Sequence, residues 1–294
     1  MAQVQFLKGH GTENDFVLLP DLDAALSLTP ELVQRLSNRR SGIGADGVIR
    51  VVPTAAVEDV AWQAAEAPWF MDYRNADGGL AEMCGNGARL FARYLVDAGL
   101  AAQGRFTIAT RGGLRAVEVA EDEVTVDMGP CTPIQPEHVT VHVDGRFYRG
   151  TALSMGNPHV VVPVAELAEA GDLLEPPLVE PATPFPTGVN VEFVLGRGPG
   201  RIAMRVFERG VGETRSCGTG ACAAAVAAAQ WWGADQVDYR VAVPGGVVRV
   251  RESGTGTLLL SGPTAFVASG TVDPALWAGP QARTDELLEA GQSR

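Results

Sequence analysis

Lysine is almost missing from this chain. Of its 23 basic residues, Lys8 is the single lysine, so any chemistry through a lysine Schiff base, pyridoxal phosphate catalysis included, would depend on that one residue. Cysteine and histidine are also sparse, with four of each, and their spacing matches none of the common zinc motifs. The sequence therefore predicts neither a bound metal nor a cofactor, and it does not predict a disulfide framework.

Long apolar runs and basic clusters are absent as well. The longest uninterrupted apolar run, at 221–229, has nine residues, whereas a helix needs about 20 to cross a bilayer. Residues 1–10 lack the basic and apolar regions of a signal peptide. The formal net charge of −12 repels a phosphate backbone, and no basic cluster opposes it. We therefore expect a cytoplasmic protein that binds neither membranes nor nucleic acid.

The composition is otherwise that of a globular protein. Apolar residues make up 46% of the chain and charged residues 20%, with 35 glycines and 19 prolines, which provides enough apolar material for a sizeable core. Compact domains mostly have about 100–200 residues. A chain of 294 residues is thus expected to form two domains of similar size.

The most informative feature is an internal repeat. Cys-Gly-Asn-Gly-Ala at 84–88 is followed, 133 residues later, by Cys-Gly-Thr-Gly-Ala at 217–221. The same offset relates three further pairs of landmarks: Asn75 with Glu208, Gly112-Gly113 with Gly245-Gly246, and Gly129-Pro130 with Gly262-Pro263. Four landmarks in one register indicate that residues 75–130 align without a gap with a second copy. The seam between the halves is expected at 130–137.

The two copies also predict the same local structure. A helix is expected after each cysteine, at 88–98 and 221–232, because alanine and long side chains favour helix and Gly99 and Gly233 mark the ends. β-Branched alternation predicts strands at 117–119, 124–128, 239–243, 247–250 and 258–260. The proline-rich stretch 174–188 is predicted to be a loop and 197–200 a turn. Each half is therefore expected to wrap strands about one central helix.

A cysteine at the start of each helix suggests acid–base chemistry. Unpaired N–H groups and the helix dipole favour an anion there, so the pKa of the Cys84 and Cys217 thiols is predicted to fall from about 8.5 toward neutrality. The N–H groups of the next residues can hold a carboxylate, namely those of Gly85, Asn86, Gly218 and Thr219. Two thiols facing each other across an α-carbon could remove a proton from one face and return it to the other. The predicted reaction is racemisation or epimerisation, whereas Cys131 and Cys222 are predicted to pack as small apolar side chains.

Six stretches in a fixed order carry a resemblance to a known family. They are Gly-His-Gly-Thr-Glu-Asn-Asp-Phe at 9–16, Gly-Ile-Gly-Ala-Asp-Gly at 42–47, Asn-Ala-Asp-Gly-Gly at 75–79, Cys-Gly-Asn-Gly-Ala-Arg at 84–89, Met-Gly-Asn-Pro-His at 155–159, and Glu-Arg-Gly-Val-Gly-Glu-Thr at 208–214 leading to Cys-Gly-Thr-Gly at 217–220. Over nearly its whole length the chain resembles diaminopimelate epimerases, pyridoxal-independent enzymes of lysine and peptidoglycan synthesis.

The resemblance implies an architecture. It is an α+β fold of two pseudo-symmetric domains, each a β-barrel-like sheet wrapped around a central helix, with the active site in the interdomain cleft. The predicted domains are 1–133, which contains Cys84, and 134–273, which contains Cys217. A C-terminal tail at 274–294 follows, for which a return to the first lobe is one option. Family members are often dimers, which implies a homodimer that acts on a small amino-acid substrate.

The resemblance also implies residue roles. Cys84 and Cys217 correspond to a catalytic acid–base pair, one thiolate and one thiol, and His159 and Glu208 to residues that assist these thiols. The positions that correspond to substrate-binding residues are Asn14, Asn75, Gly85, Asn86, Asn157, Asn190, Glu208, Arg209, Gly218 and Thr219. Arg209 suits the distal, non-reacting end of the substrate, because a guanidinium binds a carboxylate bidentately. The chain departs from the family at Glu13, where glycine is usual.

Other interpretations stay open at this point. Proline racemases and hydroxyproline epimerases share the architecture and the two cysteines, but they typically carry histidine after the first Cys-Gly, where this chain has Asn86. Phenazine-pathway isomerases share the fold but lack the cysteine pair. In a non-catalytic amino-acid-binding protein, the N–H groups that can hold a carboxylate and the Arg209 guanidinium would both have a use. Such a protein would have no use for two thiols. Taken singly, His159 could be structural, and Glu208 and Arg209 could form a surface ion pair.

The glycines at 42–47 spell a dinucleotide-binding motif, Gly-x-Gly-x-x-Gly. The strand-like stretch 48–52 follows them where that motif requires a helix. We therefore predict no nucleotide site there.

Overall fold

The computed structural model describes residues 4–273 and Trp277. Three α-helices occur in this part of the chain: α1 (Pro30–Ser37), α2 (Gly85–Asp97) and α3 (Gly218–Trp232). Short 3-10 helices cover Thr54–Ala56, Glu58–Gln63 and Leu167–Ala170. The strands are β1 (Val4–Gly11), β2 (Asn14–Pro20), β3 (Gly47–Pro53), β4 (Trp69–Asn75), β5 (Gly104–Ile108), β6 (Arg115–Val119), β7 (Val124–Asp127), β8 (Thr132–Val143), β9 (Arg146–Ser154), β10 (Pro158–Pro163), β11 (Leu178–Glu180), β12 (Asn190–Gly196), β13 (Arg201–Glu208), β14 (Gly212–Thr214), β15 (Asp238–Val243), β16 (Gly246–Glu252), β17 (Leu258–Gly262) and β18 (Ala265–Val272).

The strands form two sheets with a repeated strand order. The smaller sheet runs β18-β1-β2-β3-β4, and the larger runs β11-β8-β9-β10-β12-β13-β15-β16-β17-β7-β6-β5, with β14 beside β13. Within the larger sheet, β8-β9-β10-β12-β13 repeats the order of the smaller sheet, and the parallel pairs, β2·β3 and β10·β12, stand at equivalent places. The sequence repeat therefore extends beyond residues 75–130, and the predicted two-lobed α+β fold is confirmed.

Each lobe packs around one buried helix. α2 contacts β1 to β4, β6 and β7, while α3 contacts β9, β10, β12, β13 and β15 to β17. Between Ala221 and Ala229 every residue of α3 except Val226 is a buried alanine or cysteine, as is typical of a helix enclosed by other elements. Both helices begin directly after the repeated cysteines, as predicted.

The lobes exchange one strand each, and this changes the predicted domain boundaries. β8 follows β7 of the first lobe but pairs with β9 and β11 of the second. β18 follows β17 of the second lobe and pairs with β1 of the first. The second lobe thus begins at Thr132 rather than at 134, and Ala265–Val272 joins the first lobe instead of the predicted 134–273 domain. Strand periodicity reports which face of a strand is buried, not which sheet the strand joins.

Several local predictions can be compared with the structure. The predicted turn at 197–200 lies between β12 and β13, and the strand predicted at 48–52 lies within β3, directly after the Gly-x-Gly-x-x-Gly stretch. The predicted loop at 174–188 contains the short strand β11. The predicted tail at 274–294 lies outside the described residues apart from Trp277. Over the described residues, no helix combines the length and the apolar character needed to cross a membrane.

Candidate active site

The two repeated cysteines are the N-caps of the central helices. Cys84 precedes α2 and Cys217 precedes α3, each with an extended backbone. Each sulfur accepts a hydrogen bond from the N–H group three residues further on, that of Gly87 at 3.4 Å and that of Gly220 at 3.3 Å. Both cysteines are free thiols. The two half-sites therefore share the same local geometry.

The N-termini of the two helices lie against each other. A Cβ on Gly218, the first residue of α3, would lie 3.5 Å from the Cα of Gly85, the first residue of α2, and 2.9 Å from Leu260 Cδ2. Only glycine fits at position 218 without displacing its neighbours. Helix N-termini present unpaired N–H groups that attract anions. The junction therefore places two anion-binding helix ends, each with its own thiol, side by side.

Amide side chains surround Cys84. Its thiol donates to Asn14 Oδ1 at 3.6 Å, and Asn86 Nδ2 donates to the same oxygen at 3.0 Å. Asn14 Nδ2 donates in turn to Asp46 Oδ2 at 2.8 Å, which fixes the orientation of the Asn14 amide. Asn86 also donates to the backbone oxygen of Ser216 at 2.9 Å, so this amide links the two lobes. The structure thus brings the predicted residues Asn14, Cys84 and Asn86 together.

A chain of polar side chains leads away from Cys217. Its sulfur lies 3.5 Å from Thr219 Oγ1, which accepts from Asn157 Nδ2 at 3.4 Å. Asn157 Oδ1 lies 3.0 Å from His159 Nε2, and His159 Nδ1 lies 2.7 Å from Glu192 Oε1. His159 and Glu192 are fully buried. The predicted residues Asn157, His159 and Thr219 therefore form one connected group with Cys217.

Glu208 and Arg209, although adjacent, have different partners. Thr214 Oγ1 donates to the partly buried Glu208 carboxylate. The exposed Arg209 donates through Nη1 to Thr187 Oγ1 at 2.7 Å, and its backbone N–H donates to Asn190 Oδ1 at 2.9 Å. Within the described part of the chain no ion pair joins Glu208 to Arg209, so that alternative interpretation is wrong. The Arg209 guanidinium is accessible to a ligand carboxylate.

Asn75 lies at the solvent-exposed end of β4. Its Oδ1 accepts a hydrogen bond from the hydroxyl of Tyr73 at 2.8 Å. Burial, together with the nearby Cys84 and Glu208, raises the pKa of Tyr73 well above its usual value. Tyr73 therefore stays protonated and connects Asn75 with the interior of the site.

Burial governs the acidity of the two thiols. It raises the pKa of Cys84 to about 11, against the smaller opposite effect of the Gly87 N–H group. Burial also raises the pKa of Cys217 well above its usual value, and the Glu208 carboxylate adds to this effect. The predicted fall toward neutrality is therefore wrong, because desolvation of the sulfur outweighs the helix N-terminus. Burial likewise raises the pKa of Glu208, to about 7.

Glu13 occupies a turn that touches the other lobe. Its φ of 60° lies in the left-handed region that favours glycine, which explains why a glycine suits this position. The Glu13 carboxylate pairs with Arg215 of the second lobe, and the hydroxyl of the preceding Thr12 lies 2.7 Å from Ser216 Oγ. The turn before Asn14 is thus held between the lobes.

A family model confirms what this geometry suggests. The model described as diaminopimelate epimerase matches residues 6–134 and 151–267. The chain belongs to the diaminopimelate epimerase family. It is 51% identical over 285 residues to a diaminopimelate epimerase of Streptomyces coelicolor, covering 95% of this chain and 98% of that one. It is 49% identical over 275 residues to one of Thermobifida fusca, covering 92% and 98% of the two chains.

A solved structure supports the fold independently. A hydroxyproline epimerase from Agrobacterium vitis superposes with a TM-score of 0.64 at 17% identity, covering 92% of this chain and 94% of that one. At such low identity the likeness bears on the fold alone. The predicted architecture and the predicted membership in the diaminopimelate epimerase family thus agree with separate findings.

Sequence reasoning missed several residues that shape this diaminopimelate epimerase site. The most prominent is Glu192, which contacts His159. It is the single charged residue in the apolar strand β12, and this contrast was a usable signal, since lone charges in buried strands need partners. Asp46 and Ser216 were missed too, although Asp46 lies within the stretch 42–47 that resembles the family and Ser216 directly precedes the stretch 217–220. Tyr73 gave no signal, because an aromatic residue in a strand is ordinary.

The remaining cysteines pack as predicted. Cys222 is fully buried inside α3, and Cys131 packs against the same core. Among the residues that the structure describes, no group of three or more histidine, cysteine, aspartate and glutamate side chains could hold a metal ion.

Proposed function

We propose that this protein is a cofactor-independent epimerase that interconverts LL- and meso-2,6-diaminopimelate by a two-base mechanism. The observation that carries the proposal is the pair of cysteines at adjoining helix N-termini, in a chain of this family. Each of these thiols has a polar environment of its own, so each can exchange a proton. The reaction belongs to the supply of lysine and peptidoglycan precursors.

The reacting end of the substrate binds at the helix junction. Its α-carboxylate accepts from N–H groups of the two helix starts, those of Gly85, Asn86, Gly218 and Thr219. These dipoles stabilise the negative charge that grows on the carboxylate as the α-proton leaves, and the stabilisation is strongest where water is excluded. The substrate ammonium group lies beside the sulfurs and favours a thiolate, which offsets the cost of burying that charge.

The two thiols act on opposite faces of the α-carbon. In one direction the thiolate of Cys84 or Cys217 removes the α-proton, and the thiol of the other cysteine delivers its own proton to the opposite face. The two cysteines end the turnover with their protonation states exchanged, so the reverse reaction uses the same groups in reversed roles. Glu208, with its pKa near 7, and His159 assist these proton movements.

The distal end of the substrate distinguishes diaminopimelate from proline. Diaminopimelate carries a second amino-acid group, which proline lacks. The exposed guanidinium of Arg209 suits the distal carboxylate, with Asn14, Asn75, Asn157 and Asn190 available for the remaining polar atoms. This arrangement favours diaminopimelate over the proline racemase and hydroxyproline epimerase alternatives.

The direct test incubates purified protein in deuterium oxide with LL-diaminopimelate, and separately with L-proline, with no cofactor added. We expect meso-diaminopimelate with solvent deuterium at one α-carbon, no change in proline, and loss of activity in both Cys84→Ala and Cys217→Ala. Near-wild-type activity in either variant would refute the two-base scheme. Racemisation of proline would favour the sister enzymes, and tight binding of diaminopimelate without exchange would favour a binding protein.

A homodimeric assembly and a cytoplasmic location stay predictions. Both come from the sequence and from its resemblance to the family. Light scattering of the purified protein measures the assembly, and fractionation of the source cells measures the location.

A further inference from the structure

The two lobes differ in what packs beneath the start of the central helix. In the first lobe these residues are Phe16 and Ile49, with Phe16 Cζ 3.5 Å and Ile49 Cδ1 3.1 Å from the position of a Cβ on Gly87. The strand pair β2·β3 of the first lobe corresponds to β10·β12 of the second, with an offset of 143 residues. Phe16 is therefore equivalent to His159, and Ile49 to Glu192. An apolar pair beneath one thiol is thus replaced by an ionisable pair beneath the other.

Glu192 lies directly beside the helix that carries Cys217. A Cβ on Gly220 would lie 2.6 Å from Glu192 Oε1 and 3.2 Å from the Cys217 sulfur, so the glycine makes room for the carboxylate next to the thiol. Glu192 is fully buried, and its Oε2 has no hydrogen-bond partner among the described residues. Burying a carboxylate with one oxygen unpaired is costly. Packing alone therefore does not explain a glutamate at this position.

From His159 onward, the hydrogen bonds that connect Glu192 with Cys217 are donated toward Cys217. Glu192 Oε1 accepts from His159 Nδ1, and Asn157 Oδ1, which can only accept, faces His159 Nε2. In this arrangement an acceptor oxygen faces each ring nitrogen, Glu192 Oε1 at Nδ1 and Asn157 Oδ1 at Nε2. Asn157 Nδ2 donates to Thr219 Oγ1, so the Thr219 hydroxyl proton is free to point at the Cys217 sulfur.

The opposite orientation of the Asn157 amide would reverse this chain. Its Nδ2 would donate to a neutral His159, its Oδ1 would accept the Thr219 proton, and the Cys217 sulfur would lose its donor. A carboxylate at Glu192 forms a charge-assisted hydrogen bond with the ring and so favours the arrangement in which the ring donates on both sides. The charge of Glu192 therefore selects the orientation in which the sulfur has a donor.

We propose that Glu192 is a positioning residue for Cys217, which acts through His159 and Asn157 to direct the Thr219 hydroxyl proton toward the Cys217 sulfur and so favours the thiolate there. The inference deepens the proposed function and rests on its assignment of Cys217 as an acid–base group. The first lobe has the opposite polarity at its thiol, because an amide oxygen accepts from that sulfur.

A charge near a thiol also acts through space, and this effect has the opposite sign. The titratable groups whose charge acts on Cys217 are Glu208 on β13 and Glu192 on β12. His159 on β10 contacts Glu192, and Cys131, just before β8, lies near Glu192. Through space, the Glu192 charge raises the pKa of Cys217. Through the hydrogen-bond chain, it lowers that pKa. Glu192→Gln keeps the size and the acceptor oxygen but removes the charge, so it separates the two effects.

The experiment measures how fast each thiol of the full-length protein reacts with methyl methanethiosulfonate, a small uncharged reagent, at pH 9 and without substrate. Peptide mass spectrometry reports Cys84 and Cys217 separately, so Cys84 is the reference in the same molecule. In Glu192→Gln we expect Cys217 to react about tenfold more slowly, since one pKa unit changes the thiolate fraction tenfold. The exposed Glu213→Gln is the control and should leave both rates unchanged. A faster or unchanged Cys217 rate in Glu192→Gln would overturn the proposal.

Two further variants test the last hydrogen bond of this series, the one between the Thr219 hydroxyl and the Cys217 sulfur. Thr219→Val removes the hydroxyl and should slow Cys217 as Glu192→Gln does, whereas Thr219→Ser should restore the rate. Adding Glu192→Gln to Thr219→Val should not slow Cys217 further, because the hydrogen-bond chain is already broken and only the through-space effect remains, which would raise the rate. If Glu192→Gln fails to fold, the valine and serine pair decides the question, and equal Cys217 rates in those two would refute the chain.

These measurements are independent of epimerase activity. An active wild-type enzyme whose Cys217 rate does not respond to Glu192→Gln would refute this inference and leave the proposed function intact. A slowed Cys217 rate in a protein that does not epimerise diaminopimelate would support the hydrogen-bond chain and refute the proposed function.

Discussion

Glu208 should make the folded protein less stable as the pH rises. Burial raises the pKa of this carboxyl from 4.5 to about 7, so the folded state holds the proton over a range in which the unfolded chain has lost it. Stability from such a group is full below the unfolded pKa and is lost as pH rises through the folded one. The difference between these two pKa values corresponds to about 3 kcal/mol in total, of which about 2.5 kcal/mol is lost between pH 5 and pH 8.

Glu208→Gln removes this titration and keeps an acceptor for Thr214. Relative to the wild type, the free energy of unfolding of the variant should therefore rise by about 2.5 kcal/mol between pH 5 and pH 8, measured by urea unfolding followed by tryptophan fluorescence. Other groups titrate alike in both proteins and cancel in the difference. Glu169→Gln is the control, because its pKa is lowered and it is ionised at both pH values. Parallel stability curves for Glu208→Gln and the wild type would refute the assigned burial of this carboxylate.

Two further substitutions test the packing around the site. Gly220→Ala should lower kcat for epimerisation about tenfold or more, since its Cβ would displace Glu192 and the neighbouring sulfur. Gly87→Ala should cost much less, because the tightest contact of its Cβ is with the flexible end of Ile49 and the others are ordinary van der Waals contacts; equal losses would contradict the proposed asymmetry. Asp72→Asn should lower the free energy of unfolding by about 3–5 kcal/mol in urea titrations, because three arginines surround this buried carboxylate; a loss below about 1 kcal/mol would contradict this.

The repeat could be detected from the sequence only where backbone geometry fixes the residue type. Between 75 and 130 the glycines and cysteines stand at helix starts and tight turns, so their spacing survives when other positions change. Further toward the N-terminus the register breaks. The first lobe has residues 54–68 between β3 and β4, whereas the second has only 197–200 between β12 and β13. This insertion changes the offset from 133 to 143, and a search at one offset misses β1 to β3.

The thiol acidity could not be predicted from the sequence for a different reason. The rule for a cysteine at a helix N-terminus describes a local effect, and the local geometry was predicted correctly at both Cys84 and Cys217. The desolvation that outweighs it comes from the burial of both sulfurs in the folded protein. Local motifs fix where a group stands, whereas its pKa depends on the tertiary surroundings.

A duplicated fold has a particular difficulty with two-base chemistry. Two identical half-sites would give the two sulfurs equal pKa values, and nothing would decide which of them holds the single proton that the pair requires. The lobes keep their cysteines, glycines and helix starts alike, which preserves the shared anion site. They diverge directly beneath the helix starts, where Phe16 and Ile49 of one lobe correspond to His159 and Glu192 of the other. The divergence thus falls where it can make the two thiols unequal without disturbing the helix starts that we propose bind the substrate carboxylate.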